Sequence, residues 1–121
     1  MALVTDVSDD GRLIRLSDAS AADTVLTVVA DPPAGQEWEF LYATVKYSAV
    51  PVQAGATATL NSGKGAAYDT PLKTGSANDQ DTVLWPDGPT PIFPDDTVDV
   101  LAPAAGGAIT SAVAVYMRKV G

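Results

Sequence analysis

The sequence predicts an all-β fold, a single β-sandwich of about eight antiparallel strands, on three observations. Apolar and polar residues alternate in short stretches, Pro-, Gly- and Asp-rich turns separate those stretches, and no window of helical length carries a 3.6-residue period. Hydrophobic residues make up 46% of the 121 and charged residues 18%, a composition that supports a packed core and not a disordered chain. One domain over residues 1–121 fits this length, because cores of roughly 100–150 residues are the commonest. The jelly-roll type is preferred over the immunoglobulin-like type, whose Cys and Trp core signature is absent.

The elements follow in order. Leu3–Val7 reads as a short strand, Asp9-Asp10-Gly11 as a turn and Leu13–Leu16 as the returning strand, so residues 1–20 form a hairpin or a docked N-terminal arm. Asp18–Asp23 reads as a loop into Thr24–Ala30, whose β-branched density predicts a buried strand. Asp31-Pro32-Pro33-Ala34-Gly35 stops it, since two prolines remove donors and glycine permits a reversal.

Glu37–Tyr47 is the longest strand. Period-2 geometry sets Trp38, Phe40 and Tyr42 on one side and Leu41, Val45 and Tyr47 on the other. Bulk on both sides predicts a strand covered on both faces. Ala56, Ala58 and Leu60 alternate with Thr57, Thr59 and Asn61 as a half-buried strand ending at Ser62-Gly63-Lys64-Gly65. Tyr68 is assigned to a short strand, Pro71–Gln80 to a loop and Thr82–Trp85 to a strand. Pro86, Pro89, Pro91 and Pro94 predict a stiff extended loop. Thr97–Leu101 and Ile109–Met117 close the chain, with Ile109, Val113, Val115 and Met117 on one face and Pro103–Gly107 as the turn between the two strands.

Charge and composition narrow the function. Fifteen acidic and seven basic residues give a net charge of −8, which repels a phosphate backbone and excludes nucleic acid as a partner. Thirteen of the acids are Asp, the residue of turns. No basic, apolar leader opens the chain, and the longest apolar stretch, Leu101–Ile109, is interrupted by Pro103, Gly106 and Gly107, so neither secretion nor a membrane is expected. Cytoplasmic synthesis is the expectation.

The chain contains no histidine and no cysteine. Nucleophilic catalysis of the Ser-His-Asp or Cys-His kind lacks its base, and zinc lacks its usual ligands. Glu37 and Glu39 share a strand side, but glycosidase carboxylates flank a cleft from different elements, so a solvated strand end is the preferred reading. Asn78-Asp79-Gln80-Asp81 and Asp95-Asp96 with Asp99 offer oxygen ligands for calcium without the glycine and distal glutamate of a helix-loop-helix site. Turn capping is preferred there, and a hairpin turn for Gly63-Lys64-Gly65. No catalytic residue, cofactor or metal is expected. Among the aromatics Trp38, Trp85, Tyr42, Tyr68 and Tyr116, Trp38 is assigned to the core and Trp85, beside Pro86, to a surface or interface; an exposed ring would suit a glycan.

Pro33-Ala34-Gly35-Gln36-Glu37-Trp38-Glu39-Phe40 entering a long strand, Pro94-Asp95-Asp96-Thr97-Val98-Asp99-Val100, and Ser111-Ala112-Val113-Ala114-Val115-Tyr116 together resemble the small jelly-roll decoration, or cement, proteins of tailed-phage capsids. The resemblance spans roughly residues 24–118 and is one of strands and turns. Where such proteins usually have Gly before Asp in one turn, this chain has Pro94-Asp95-Asp96. The resemblance implies a homotrimer on the virion exterior that contacts the major capsid protein without turnover. It also implies an N-terminal arm anchored by Leu3, Val4, Val7, Leu13, Ile14 and Leu16, the alternative being that these side chains complete the domain's own sheet. A carbohydrate- or receptor-binding sandwich is the second functional expectation.

Overall fold

The computed structural model describes residues 3–52, 55–88 and 90–120. Met1 and Ala2 of the expected arm, and Pro89 of the proline series, lie outside the described residues. Among the described residues the strands are β1 (Val4–Val7), β2 (Leu13–Ala19), β3 (Leu26–Ala30), β4 (Trp38–Tyr47), β5 (Thr57–Asn61), β6 (Thr70–Thr74), β7 (Asp81–Leu84), β8 (Thr90–Ile92), β9 (Thr97–Ala102) and β10 (Ser111–Lys119). One sheet runs β1-β2-β10-β4-β7, with β8 also pairing β4, and the other runs β3-β9-β5-β6. Every pairing is antiparallel, and the two sheets pack as a sandwich.

The core lies where the two inner faces meet. Val28 of β3, Phe40 and Val45 of β4, Leu84 of β7, Val98 and Val100 of β9, and Val113, Val115 and Met117 of β10 are fully buried. Each such side chain contributes roughly 1.5–3 kcal/mol of burial free energy. A buried polar contact ties the sheet's far end: the Ser20 and Ser111 hydroxyls lie 2.7 Å apart, and the Ser111 N–H donates to Ser20 Oγ at 3.0 Å.

Several expectations are corrected. The second strand continues through Asp18 to Ala19 because it pairs with β10 as far as Ala112, so the loop begins only at Ser20. β3 is buried on one face only, with Thr27 and Val29 exposed. Tyr68 lies in a turn of 3-10 helix, exposed, and Pro71 lies within β6. Pro91 likewise sits in β8, which pairs with the first half of β4 while β7 pairs with the second. Both prolines are on edge strands, where a missing donor leaves no ladder bond unmade.

The largest correction concerns β4. Opposite β10 the register jumps from Tyr42↔Tyr116 to Phe40↔Met117, so Leu41 is an extra residue, a β-bulge. Trp38 and Phe40 face the core before it, and Ala43, Val45 and Tyr47 after it. The two bulky faces in the sequence are one inner face whose parity changes at Leu41, and Tyr42 is turned to the outside.

Candidate functional site

The bulge creates the main feature of the outer surface. Pairing aligns Asp6 of β1 with Arg15 of β2, Arg15 with Tyr116 of β10, and Tyr116 with Tyr42 of β4. Ala43↔Leu84 then brings Trp85, just past β7, beside Tyr42. The result is one row of five side chains across the whole sheet, on the face turned away from the core.

The row is continuous. Arg15 donates to Asp6 Oδ2 from Nη2 at 2.7 Å and from Nε at 3.1 Å. The Tyr42 ring stacks on Tyr116 with centroids 4.4 Å apart at 17°, and on Trp85 at 4.4 Å and 29°. The Arg15 guanidinium is held above its usual range first by the hydrogen bond to Asp6 and then by the one to Tyr116. It stays charged at any ordinary pH.

Ring orientation limits what this row can hold. Neighbouring strands lie about 4.8 Å apart, so rings stacked across them cover one another's faces. Both faces of Tyr42 are occupied by aromatic neighbours, which leaves ring edges and the outer side of Trp85, itself 56% exposed, to meet a partner. Beside the row is a cleft of about 340 Å³ lined by Leu13, Leu41, Tyr42, Tyr116, Arg15 and Asp6, among others. Its carboxylate, Asp6, is committed to Arg15. The arrangement offers apolar contact with a charged rim.

The residues singled out in the sequence divide between surface and core. Leu3, Val4, Val7 and Leu13 are exposed at the β1–β2 end of the sheet, and Trp85 and half-buried Pro86 lie beyond its opposite side, with the row connecting them. Ile14 and Leu16 are buried, because alternate residues of β2 face the second sheet. Those two are core side chains of this chain's own sandwich and are not available as anchors on a partner. Trp38 is buried as expected, its Nε1 donating to Gln36 Oε1 at 3.0 Å.

Of the candidate carboxylates, Glu39, Asp96 and Asp99 hold structural partners, as do Asp69 and Asp23 in other turns. Glu39 pairs with Arg118, and Glu37 is exposed ahead of β4. Asp96 accepts the Gly63 N–H at 3.1 Å, Asp69 that of Ser62 at 2.8 Å, and Asp23 that of Gly106 at 2.9 Å. Asp99 accepts from Asn61 and from Thr97. Among the described residues no group of three or more His, Cys, Asp or Glu is placed to hold a metal ion, and no helix is long and apolar enough to cross a membrane.

Sequence reasoning missed the partnership of Tyr42, Tyr116 and Trp85. Tyr116 was legible as outward, since it lies between the inward Val115 and Met117. Tyr42 was not, because the bulge reverses its parity. In comparison with known proteins, no family model matches the chain and no curated sequence matches it.

Proposed function

We propose that the chain is a non-enzymatic structural protein of a phage virion, made in the host cytoplasm and assembled on the capsid exterior as a homotrimer that stabilises the shell. Jelly-roll topology belongs to the same proposal. The observation that supports it best is the outer row of Trp85, Tyr42, Tyr116, Arg15 and Asp6. Trp, Tyr and Arg are the residues that dominate binding energy at protein interfaces. Here they stand on a rigid sheet, where little is lost in ordering them on contact.

The mechanism is multivalent. Each copy makes modest contacts with major capsid protein subunits, and linked copies convert later contacts into intramolecular ones. Co-sedimentation of the pure chain with capsids lacking it tests this: the wild type should pellet with the capsids and a Tyr116→Ala variant should remain largely in the supernatant. Wild-type chain that never pellets would overturn the reading.

A second reading, a glycan-binding module, is favoured by one observation, the exposed outer side of Trp85. It predicts a Trp85-dependent fluorescence response to saccharides. Against a broad sugar platform stands the consumption of the Tyr42 faces by its neighbours.

A further inference from the structure

Glycine, which has no Cβ, leaves its amide nitrogen open to the side-chain carboxyl of a preceding aspartate. The chain has two such pairs, Asp10-Gly11 and Asp87-Gly88. Both aspartates are exposed, so exposure does not separate them.

Hydrogen bonding does. In the β1–β2 turn, Asp10 Oδ1 accepts the Ser8 hydroxyl at 2.6 Å and the Arg12 N–H at 3.0 Å, while the Gly11 N–H donates to the Ser8 carbonyl oxygen at 2.8 Å. Carboxyl and amide are each committed elsewhere. The same contacts favour the ionised carboxylate of Asp10, whereas ring closure onto a neighbouring amide needs the carboxylic acid.

Between β7 and β8 the arrangement is reversed. Among the described residues neither the Asp87 carboxylate nor the Gly88 N–H has a hydrogen-bond partner. The contact this pair does make, from Thr90 Oγ1 to the Gly88 carbonyl oxygen at 3.3 Å, leaves both reacting groups free. A Cβ built on Gly88 would meet no atom within 4 Å, so the space around the pair is open.

From this contrast we infer that Asp87-Gly88 is a site of spontaneous covalent rearrangement from aspartate to isoaspartate, and that the turn at Asp10-Gly11 protects its own pair from the same reaction. The Gly88 nitrogen bonds to Asp87 Cγ, the Cγ–OH bond breaks, and the hydroxyl leaves with the amide proton as water, closing a succinimide ring. Water then reopens the ring. Addition at Cγ restores aspartate; addition at the main-chain carbonyl carbon of Asp87 breaks its bond to the Gly88 nitrogen, so that the chain runs on through Cγ. Nothing is oxidised or reduced, and the water lost is regained. The product carries an extra methylene in the main chain just past Trp85, the ring that ends the outer row.

The inference goes beyond the capsid reading and does not depend on it. Incubation at mildly acidic pH, then peptide mapping with electron-transfer fragmentation, tests it on the wild type and Gly88→Ala, each in buffer and in urea. Gly88→Ala should fold as the wild type does, since its methyl group meets nothing and Gly88 is not at positive φ; circular dichroism verifies this. In buffer, isoaspartate should accumulate at position 87 at least about tenfold faster than at position 10, whose hydrogen bonds must open first. Gly88→Ala should slow position 87 alone, and in urea the two wild-type rates should converge. Equal rates at both positions in buffer, reaction at position 87 in urea only, or no effect of Gly88→Ala would overturn the inference. A difference between the positions that persists in urea would overturn it too, because neighbouring residues and not the turn would then be its cause.

Discussion

Deleting single residues from β4 separates a bulged strand from one covered on both faces. Removing Leu41 leaves Trp38, Phe40, Ala43, Val45 and Tyr47 in strict alternation and pairs Phe40–Met117 and Tyr42–Tyr116 without a register jump. Every inward side chain stays inward. The cost is the half-buried Leu41 side chain and the local twist of the bulge, about 1–2 kcal/mol. Removing Thr44 is different: it also cancels the extra residue and keeps Trp38, Phe40, Val45 and Tyr47 inward, but it turns Tyr42 into the fully buried place of Ala43. A tyrosine forced into the space of an alanine in a packed core costs about 1–3 kcal/mol, and the two ring stacks of Tyr42, each worth about 0.5–1.5 kcal/mol, are lost with it.

Together these losses, about 2–6 kcal/mol, are a large part of the whole stability of a domain, about 5–15 kcal/mol. Urea unfolding followed by tryptophan fluorescence reads the difference. With a slope of about 1.5 kcal/mol/M, the Leu41 deletion should lower the midpoint by about 1 M. The Thr44 deletion should lower it by roughly 3 M or abolish the cooperative transition. Equal effects of the two deletions would refute the bulge account, since a strand buried on both faces has no dispensable position.

Other predictions follow from single contacts. At Gly55 an added Cβ would lie 1.9 Å from the Gly75 carbonyl oxygen, so Gly55→Ala should destabilise by about 2–3 kcal/mol in the same urea assay. Tyr42→Ala removes two ring stacks, each worth about 0.5–1.5 kcal/mol, and should red-shift the Trp85 emission; acrylamide should quench Trp85 readily and Trp38 hardly at all. Asp10 is held below the usual aspartate range by the Ser8 hydroxyl first and the Arg12 backbone N–H second. Its contribution to the β1–β2 turn is therefore complete above that range and is lost as pH falls through the depressed value. Carboxyl NMR titration should show an Asp10 midpoint below that of free aspartate, moving upward in Ser8→Ala.

Much of the architecture was legible because strand and turn signals are local. Alternation in Thr57–Asn61 and Thr97–Ala102 and the turn at Asp9-Asp10-Gly11 need no tertiary information to be read. β6 and β8 were hidden because proline argues against strand, and only their place on an edge makes Pro71 and Pro91 acceptable. The aromatic row was hidden for a different reason. Its members come from three strands far apart in sequence, and the bulge at Leu41 depends on the register of β10 against β4. Trp85 could be marked as a surface residue from Pro86 beside it, but not matched to Tyr42. Ile14 and Leu16 carried no signal separating core from arm until β2 was seen to lie between β1 and β10.

Quantitative mass spectrometry of purified virions tests the proposed capsid role most directly. The account requires the polypeptide to be present in a fixed, high ratio to the major capsid protein, and to be depleted from particles made with Tyr116→Ala. Particles that lack the wild-type polypeptide altogether would contradict it.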